Sequence, residues 1–235
     1  MPPETITFDS YSTLVDVEAV EAALSDAVTD PRPVSNHWRS RSLLYTTVAN
    51  EVDAYDTFYA LNRAALEHAL AAHGVELPES ERESVLETYH ELAVFEDVEA
   101  GLRALEEAGV DVYVISNGDP EMLSSMVDHA GIGEYLTDTI SADEVETFKP
   151  ATALYRHAAA RPATALYRHA AARTGTPVDR IAHVSALFYD VLGASHAGMT
   201  GVWLDRGKVP WDDFAGDPDA IVSDIREVGP TLDVT

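Results

Sequence analysis

Cysteine is absent from the 235 residues, and lysine nearly so. Without thiols there is no disulfide framework, thiolate metal site, iron–sulfur cluster or cysteine nucleophile. No run of about 20 apolar residues is present to span a bilayer. The start, Met1-Pro2-Pro3-Glu4, lacks the basic flank and hydrophobic stretch of an export signal. The chain therefore reads as soluble, with a cytoplasmic location and no membrane partner expected. Basic residues number 15 against 41 acidic ones, a net charge of −26, which excludes a polyphosphate-binding face and so a nucleic-acid partner. Only two of those 15 are lysines, Lys149 and Lys208. Acid excess with so little lysine resembles cytoplasmic proteins of salt-in halophiles, where molar salt shortens the Debye length to about 3 Å and screens self-repulsion.

Against that charge stands a hydrophobic content of 46%, which argues for a buried core and not for disorder. At roughly 150 residues per domain, the length suits one large domain or a domain with an insertion. Residues 6–8 form a short β-type run ending at Asp9. From residue 17 to about 89 the pattern is helical throughout. Expected helices cover 17–28, capped by Asp16; a segment starting at Ser35 or Asn36 and running through Val48; 54–73, stopped by Gly74; and 80–92, with Ser80 and Glu83 in capping-box spacing. Pro31 and Pro33 punctuate the gap after the first. Beyond residue 93, helices and strands alternate: helix 98–108, strand 110–116, helix 120–129, strand 139–141, helical block 151–173, strand 181–185, helix 191–197 and strand 201–204. This alternation predicts an α/β fold with a Rossmann-like parallel sheet covered on both faces. The expected core comprises residues 1–15 and 94–235, with 16–93 inserted as an all-helical cap. Ligands of such sheets sit beyond the carboxyl ends of the strands, where Asp9, Ser116 and the loop after Ser185 should converge.

Residues 150–161 recur unchanged as 162–173. A 12-residue repeat without divergence is too short for a solenoid and reads as a duplication.

Asp9, taken alone, reads equally as a helix cap or a solvated loop acid. Ser116-Asn117-Gly118 closes an apolar strand ahead of a helix near Pro120, which suits either an anion cradle or a polar turn. Lys149-Pro150 stands between a strand and a helix in a chain nearly purged of lysine. Ser185 and Asp190 follow the next good strand, and either could cap the following helix.

Together and in this order, these residues resemble the haloacid dehalogenase superfamily, and in detail its type II L-2-haloacid dehalogenases. The first motif stands as Asp9-Ser10-Tyr11-Ser12-Thr13-Leu14, with Ser12 in place of the family glycine. The second is Ser116-Asn117-Gly118, the third Lys149-Pro150 with Tyr155, and the fourth Ser185 with Asp190. Trp38-Arg39 and the Tyr55/Phe58 pair match motifs of the family's cap.

The resemblance implies hydrolysis of L-2-haloalkanoic acids to D-2-hydroxy acids with inversion at C2, no metal and no cofactor. In it Asp9 is the nucleophile, Lys149 keeps it ionised, and Ser116 and Thr13 hold the substrate carboxylate. Arg39, Asn117 and Phe58 receive the halide, Asp190 helps activate water, and Tyr155 orients Lys149 or Asp190. Ser185 completes the catalytic set, while Ser10, Tyr11 and Tyr189 line the substrate. Leu187 stands where the family carries an asparagine beside the catalytic water. By the same analogy the protein is expected to be a homodimer.

Phosphatases of the superfamily place an acid two residues after the nucleophile; here that residue is Tyr11, a weak acid with a pKa near 10. The segment from Ser185 to Tyr189 also offers no carboxylate for a divalent cation. Two further readings stay open: a non-catalytic binding protein on the same fold, and a phosphatase of small phosphoesters. Two spacings also collide, because Tyr155 lies at the family distance from Lys149 while Tyr167 lies at the family distance from Ser185. Pro162 favours a helix break there, and the expectation is Tyr155 at the site with weaker order over 162–176.

Overall fold

A computed structural model describes residues 2–25, 27–150, 164–212 and 216–234. Six parallel strands form its sheet: β1 (Thr5–Phe8), β2 (Asp111–Ser116), β3 (Asp138–Ser141), β4 (Ile181–Ser185), β5 (Thr200–Leu204) and β6 (Ala220–Val222). Their spatial order is β3-β2-β1-β4-β5-β6, with β1 at the centre. All four residues of β1 and all five of β4 are buried. Burial on both faces fits central strands of a parallel sheet, and the buried Thr5, Thr7 and His183 are hydrogen-bonded.

Residues 16–93, between β1 and β2, hold four α-helices and no sheet strand among the described residues: α1 (Ala19–Ser25), α2 (Pro31–Val52), α3 (Phe58–Ala72) and α4 (Glu79–Glu87). Helix α2 starts at Pro31, four or five residues earlier than expected. Pro31 and Pro33 sit in its first turn, where the missing N–H loses no helical bond, and so they begin the helix rather than separate it from α1. Helix α3 begins at Phe58 because the Thr57 side chain accepts a hydrogen bond from Ala60 N, leaving residues 54–57 outside it. The expected capping box on α4 does not form. Pro78 takes the cap position, and Glu83 instead pairs with Arg63 of α3.

The remaining helices are α5 (Val98–Glu107), α6 (Pro120–Ala130), α7 (Ala165–Thr174), α8 (Phe188–Ala197) and the single turn α9 (Val228–Thr231). Asp119 caps α6 by accepting from Met122 N, and Gly131 closes it at φ 65°. Strand β6 was not anticipated, since its three residues pair only at the sheet edge and carry no periodic signal. The expected weak order is also overturned from residue 164 onward; residues 162–163 lie outside the described residues. Residues 165–174 form α7, which buries Leu166, Tyr167 and Ala170. No helix among the described residues is long and apolar enough to cross a membrane.

Candidate active site

Strand register brings the chemistry together. Phe8 is level with Val114 of β2 and Val184 of β4, so Asp9, Ser116 and Ser185 leave the sheet at neighbouring strand ends. The Asp9 backbone extends the pairing by one step, donating its N–H to Val184 O at 3.0 Å.

Lys149 lies at the centre. Its Nζ donates to Asp9 Oδ1 at 2.7 Å, to Asp190 Oδ2 at 2.8 Å and to the Ile115 carbonyl at 2.7 Å, which uses all three ammonium protons. Asp9 and Lys149 are 4% exposed and Asp190 is sealed, so these bonds carry far more weight than a surface pair would. Burial opposes the charge on Lys149, yet the two carboxylates outweigh it and raise its pKa, so the ammonium persists. Burial likewise works against ionised Asp190, but Lys149 and His183 hold its carboxyl well below the usual range. For Asp9, burial is the larger influence. Reinforced by the Asp190 charge and opposed by Lys149, it pushes the carboxyl upward. Two carboxylates thus share one cation, and ionisation is less favoured at Asp9 than at Asp190.

Thr13 Oγ1 donates to Asp9 Oδ2 at 2.9 Å and accepts from Ala186 N at 2.9 Å, so it orients the Asp9 carboxylate. Ser10 and Ser116 share a hydrogen bond of 2.6 Å between their hydroxyls, and Ser116 Oγ accepts from Gly118 N. Asn117 grips the backbone of Lys149, accepting from its N–H at 2.7 Å and donating to its carbonyl at 3.2 Å. Ser185 Oγ accepts from Leu187 N at 3.1 Å, which shapes the turn into α8.

Tyr155 lies outside the described residues. Tyr167 of the second repeat copy occupies the position beside Asp190, its hydroxyl donating to the Asp190 carboxylate. Gly193 makes this possible, because a Cβ there would come within 2.7 Å of the Tyr167 hydroxyl. On the far side of Asp190, buried His183 places Nε2 3.1 Å from Oδ2, and its Nδ1 meets Thr7 Oγ1 at 2.8 Å. Neither Gly193 nor His183 was singled out from sequence. A glycine within a helix is a weak signal, and a histidine in an apolar strand reads as core.

Aromatic side chains close the site. Tyr11 stacks on Phe58 and meets Tyr89 edge-on at 5.6 Å. Gly118 leaves room for it, since a Cβ would lie 3.1 Å from Tyr11 Cε2. The hydroxyls of Tyr11 and Tyr189 are buried and without hydrogen-bond partners among the described residues. Burial pushes both phenols well above their ordinary range, so neither is an acid. Arg39 donates to Asn36 Oδ1 at 2.8 Å and pairs with no carboxylate among the described residues. It lines a cavity of about 360 Å³ together with Ser12, Leu187, Trp203, Arg206 and Lys208. Asp16 and Glu18 line the same cavity, so carboxylates and cations face it together. No group of three metal-ligating side chains is found among the described residues.

The haloacid dehalogenase-like hydrolase family matches residues 3–198. The (S)-2-haloacid dehalogenase of Pseudomonas sp. strain YL is 30% identical over 226 residues, covering 95% of this chain and 91% of that protein. The (S)-2-haloacid dehalogenase H-109 of Pseudomonas putida is 29% identical, with 98% of each chain aligned. Among solved structures, an L-2-haloacid dehalogenase at 27% identity superposes with a TM-score of 0.90, over 99% of this chain and 100% of that one. With the sheet order, the strand-end site and these likenesses in place, the chain belongs to the haloacid dehalogenase-like hydrolases.

Proposed function

We propose that this chain is an (S)-2-haloacid dehalogenase, converting L-2-haloalkanoic acids to D-2-hydroxy acids. The observation that carries this reading is one buried ammonium bridging Asp9 and Asp190, with a tyrosine of raised pKa where a phosphatase needs its acid. Asp9 attacks C2 opposite the halogen; a C–O bond forms as the C–X bond breaks, and the halide leaves with the bonding pair. Splitting hydrolysis into two displacements avoids activating water against a carbon–halogen bond. Water, hydrogen-bonded to Asp190, then attacks the Asp9 carboxyl carbon. As the acyl C–O bond to the substrate oxygen breaks, the water's proton is handed through Asp190 to that oxygen, which leaves as the hydroxy acid and restores Asp9 and ionised Asp190. Lys149 holds Asp9 in its reactive form, and Thr13 sets its angle of attack. Ser10, Ser116 and the backbone N–H groups near them are placed for the substrate carboxylate. Arg39, with Asn117 and Phe58, receives the halide, and Tyr167 takes the orienting role first expected of Tyr155. No metal or cofactor enters this scheme.

The same reading takes residues 1–15 and 94–235 as the core and 16–93 as the cap, with a cytoplasmic, homodimeric enzyme. The charge of −26 and the two lysines support a halophilic origin. Activity should therefore rise with salt, which screens repulsion within the chain and toward an anionic substrate.

Purified protein assayed for chloride release from L-2-chloropropionate, in molar salt and without Mg²⁺, tests the proposal. D-lactate as product and one ¹⁸O from labelled water in the Asp9 peptide after a single turnover are expected. Hydrolysis of phosphate esters only when Mg²⁺ is added would overturn it.

A further inference from the structure

The segment carrying Lys149 has no neighbouring strand, yet its backbone is hydrogen-bonded as though it had one on each side. Residues 147–150 lie outside the sheet. Asn117 engages both backbone groups of Lys149 from the sheet side. Asn50, in the last turn of α2, does the same to Phe148: its Nδ2 donates to Phe148 O at 3.0 Å, and its Oδ1 accepts from Phe148 N at 3.0 Å. This double exchange is the pattern of a hydrogen-bonded residue pair in a β-ladder, made here by a side-chain amide. Two side-chain amides, from Asn50 and Asn117, thus hold the backbones of Phe148 and Lys149 at once.

Asparagine is a poor helix former whose side chain competes for nearby backbone groups. Asn50 forms no such local bond among the described residues; both functions of its amide go 98 residues along the chain. The Phe148 ring is likewise enclosed from the α2–α3 side, stacked on Tyr55 at 4.9 Å and tilted against Phe58 at 6.4 Å. Phe148 is fully buried, so its backbone groups would have no water to replace Asn50.

We propose that Asn50 is a positioning residue for the dehalogenation reaction, fixing Phe148 so that the Lys149 ammonium is held between Asp9 and Asp190. The inference rests on the function proposed above. It also makes the docking of the α2 C-terminal turn on Phe148 a condition for a correctly placed cation. Displacements of about 1 Å at a reacting centre can cost about 10²-fold in rate, and Lys149 sits one residue from the anchored backbone.

The two lysines supply a readout independent of turnover. Protein labelled with ¹⁵Nζ-lysine should give two side-chain signals, one from buried Lys149 and one from Lys208, whose ion pair with Glu18 is on the surface. In Asn50→Ala, the Lys149 signal is expected to shift or broaden while that of Lys208 stays in place. The kcat should fall about tenfold or more with KM nearly unchanged, and the acid limb of the kcat profile should move to higher pH as Asp9 loses its cation. Asn50→Asp keeps the shape and the acceptor but loses the donor. It guards against a misfolded alanine variant, and should show the same changes at smaller size. A Lys149 signal at its wild-type position in both folded variants would overturn the proposal. So would a variant that loses melting temperature yet keeps kcat and the acid limb. A wild-type protein without dehalogenase activity would refute the proposed function, and the lysine signals would still decide whether Asn50 positions Lys149.

Discussion

Gly193 and Tyr167 fit each other as hole and plug: the missing Cβ of one is the space taken by the phenol of the other, which would stand 2.7–3.0 Å from it. Gly193→Ala therefore must displace Tyr167 from Asp190. Turnover should fall about tenfold or more, by misplacement of the site. Added to Tyr167→Phe it should cost less than its effect alone, because both act through one contact. A double-mutant cycle with additive losses would refute this coupling.

The second repeat copy supplies the tyrosine. Tyr167→Phe removes a hydrogen bond to a buried carboxylate, worth about 1.5–3 kcal/mol, and should lower both turnover and melting temperature. Tyr155→Phe should change neither. Kinetics and thermal melts of the two variants side by side give the answer, and a larger loss from Tyr155→Phe would reverse the assignment.

Deleting 150–161 or 162–173 yields one and the same shortened chain, because the copies are identical. In that chain a single tyrosine sits at both expected distances, from Lys149 and from Ser185. Folding and activity should be equal to the parent or higher. A collapse of either would show that the extra 12 residues are structural.

Ser12 stands at φ 69°, in the left-handed region where a side chain is strained. Ser12→Gly should relieve about 1 kcal/mol, raising the melting temperature by about 2–4 °C in a chain of this size. An unchanged or lower melting temperature would show that the serine side chain offsets its strain.

The acidic side of the pH profile belongs to Asp9. Attack needs the carboxylate, and burial with the Asp190 charge raises its pKa against the pull of Lys149. As pH falls through that raised value, kcat/KM should drop, while Asp190, held low, stays ionised. An acid limb at the ordinary carboxylate value would contradict the burial argument.

How much of this was legible beforehand depends on how local the causes are. The β4 boundaries, Ile181–Ser185, match the expected strand because an apolar run between polar turns has one comfortable place in a parallel sheet. Asp9, Lys149 and Asp190 were found in sequence because each follows a strand or precedes a helix in a recognisable motif. Thr13 was recognised, but nothing local says that its hydroxyl donates to Asp9. What the sequence by itself determined was the parallel α/β order, the helical insertion and the residues at the strand ends, because hydrophobic period and turn chemistry act over a few residues. Only the tertiary structure decided that Tyr167 meets Asp190, that Asn50 reaches Phe148, and that His183 backs the site. Identical copies carry identical local preferences, so only the tertiary packing places one of them beside Asp190; an amide paired 98 residues away leaves no periodic trace at all.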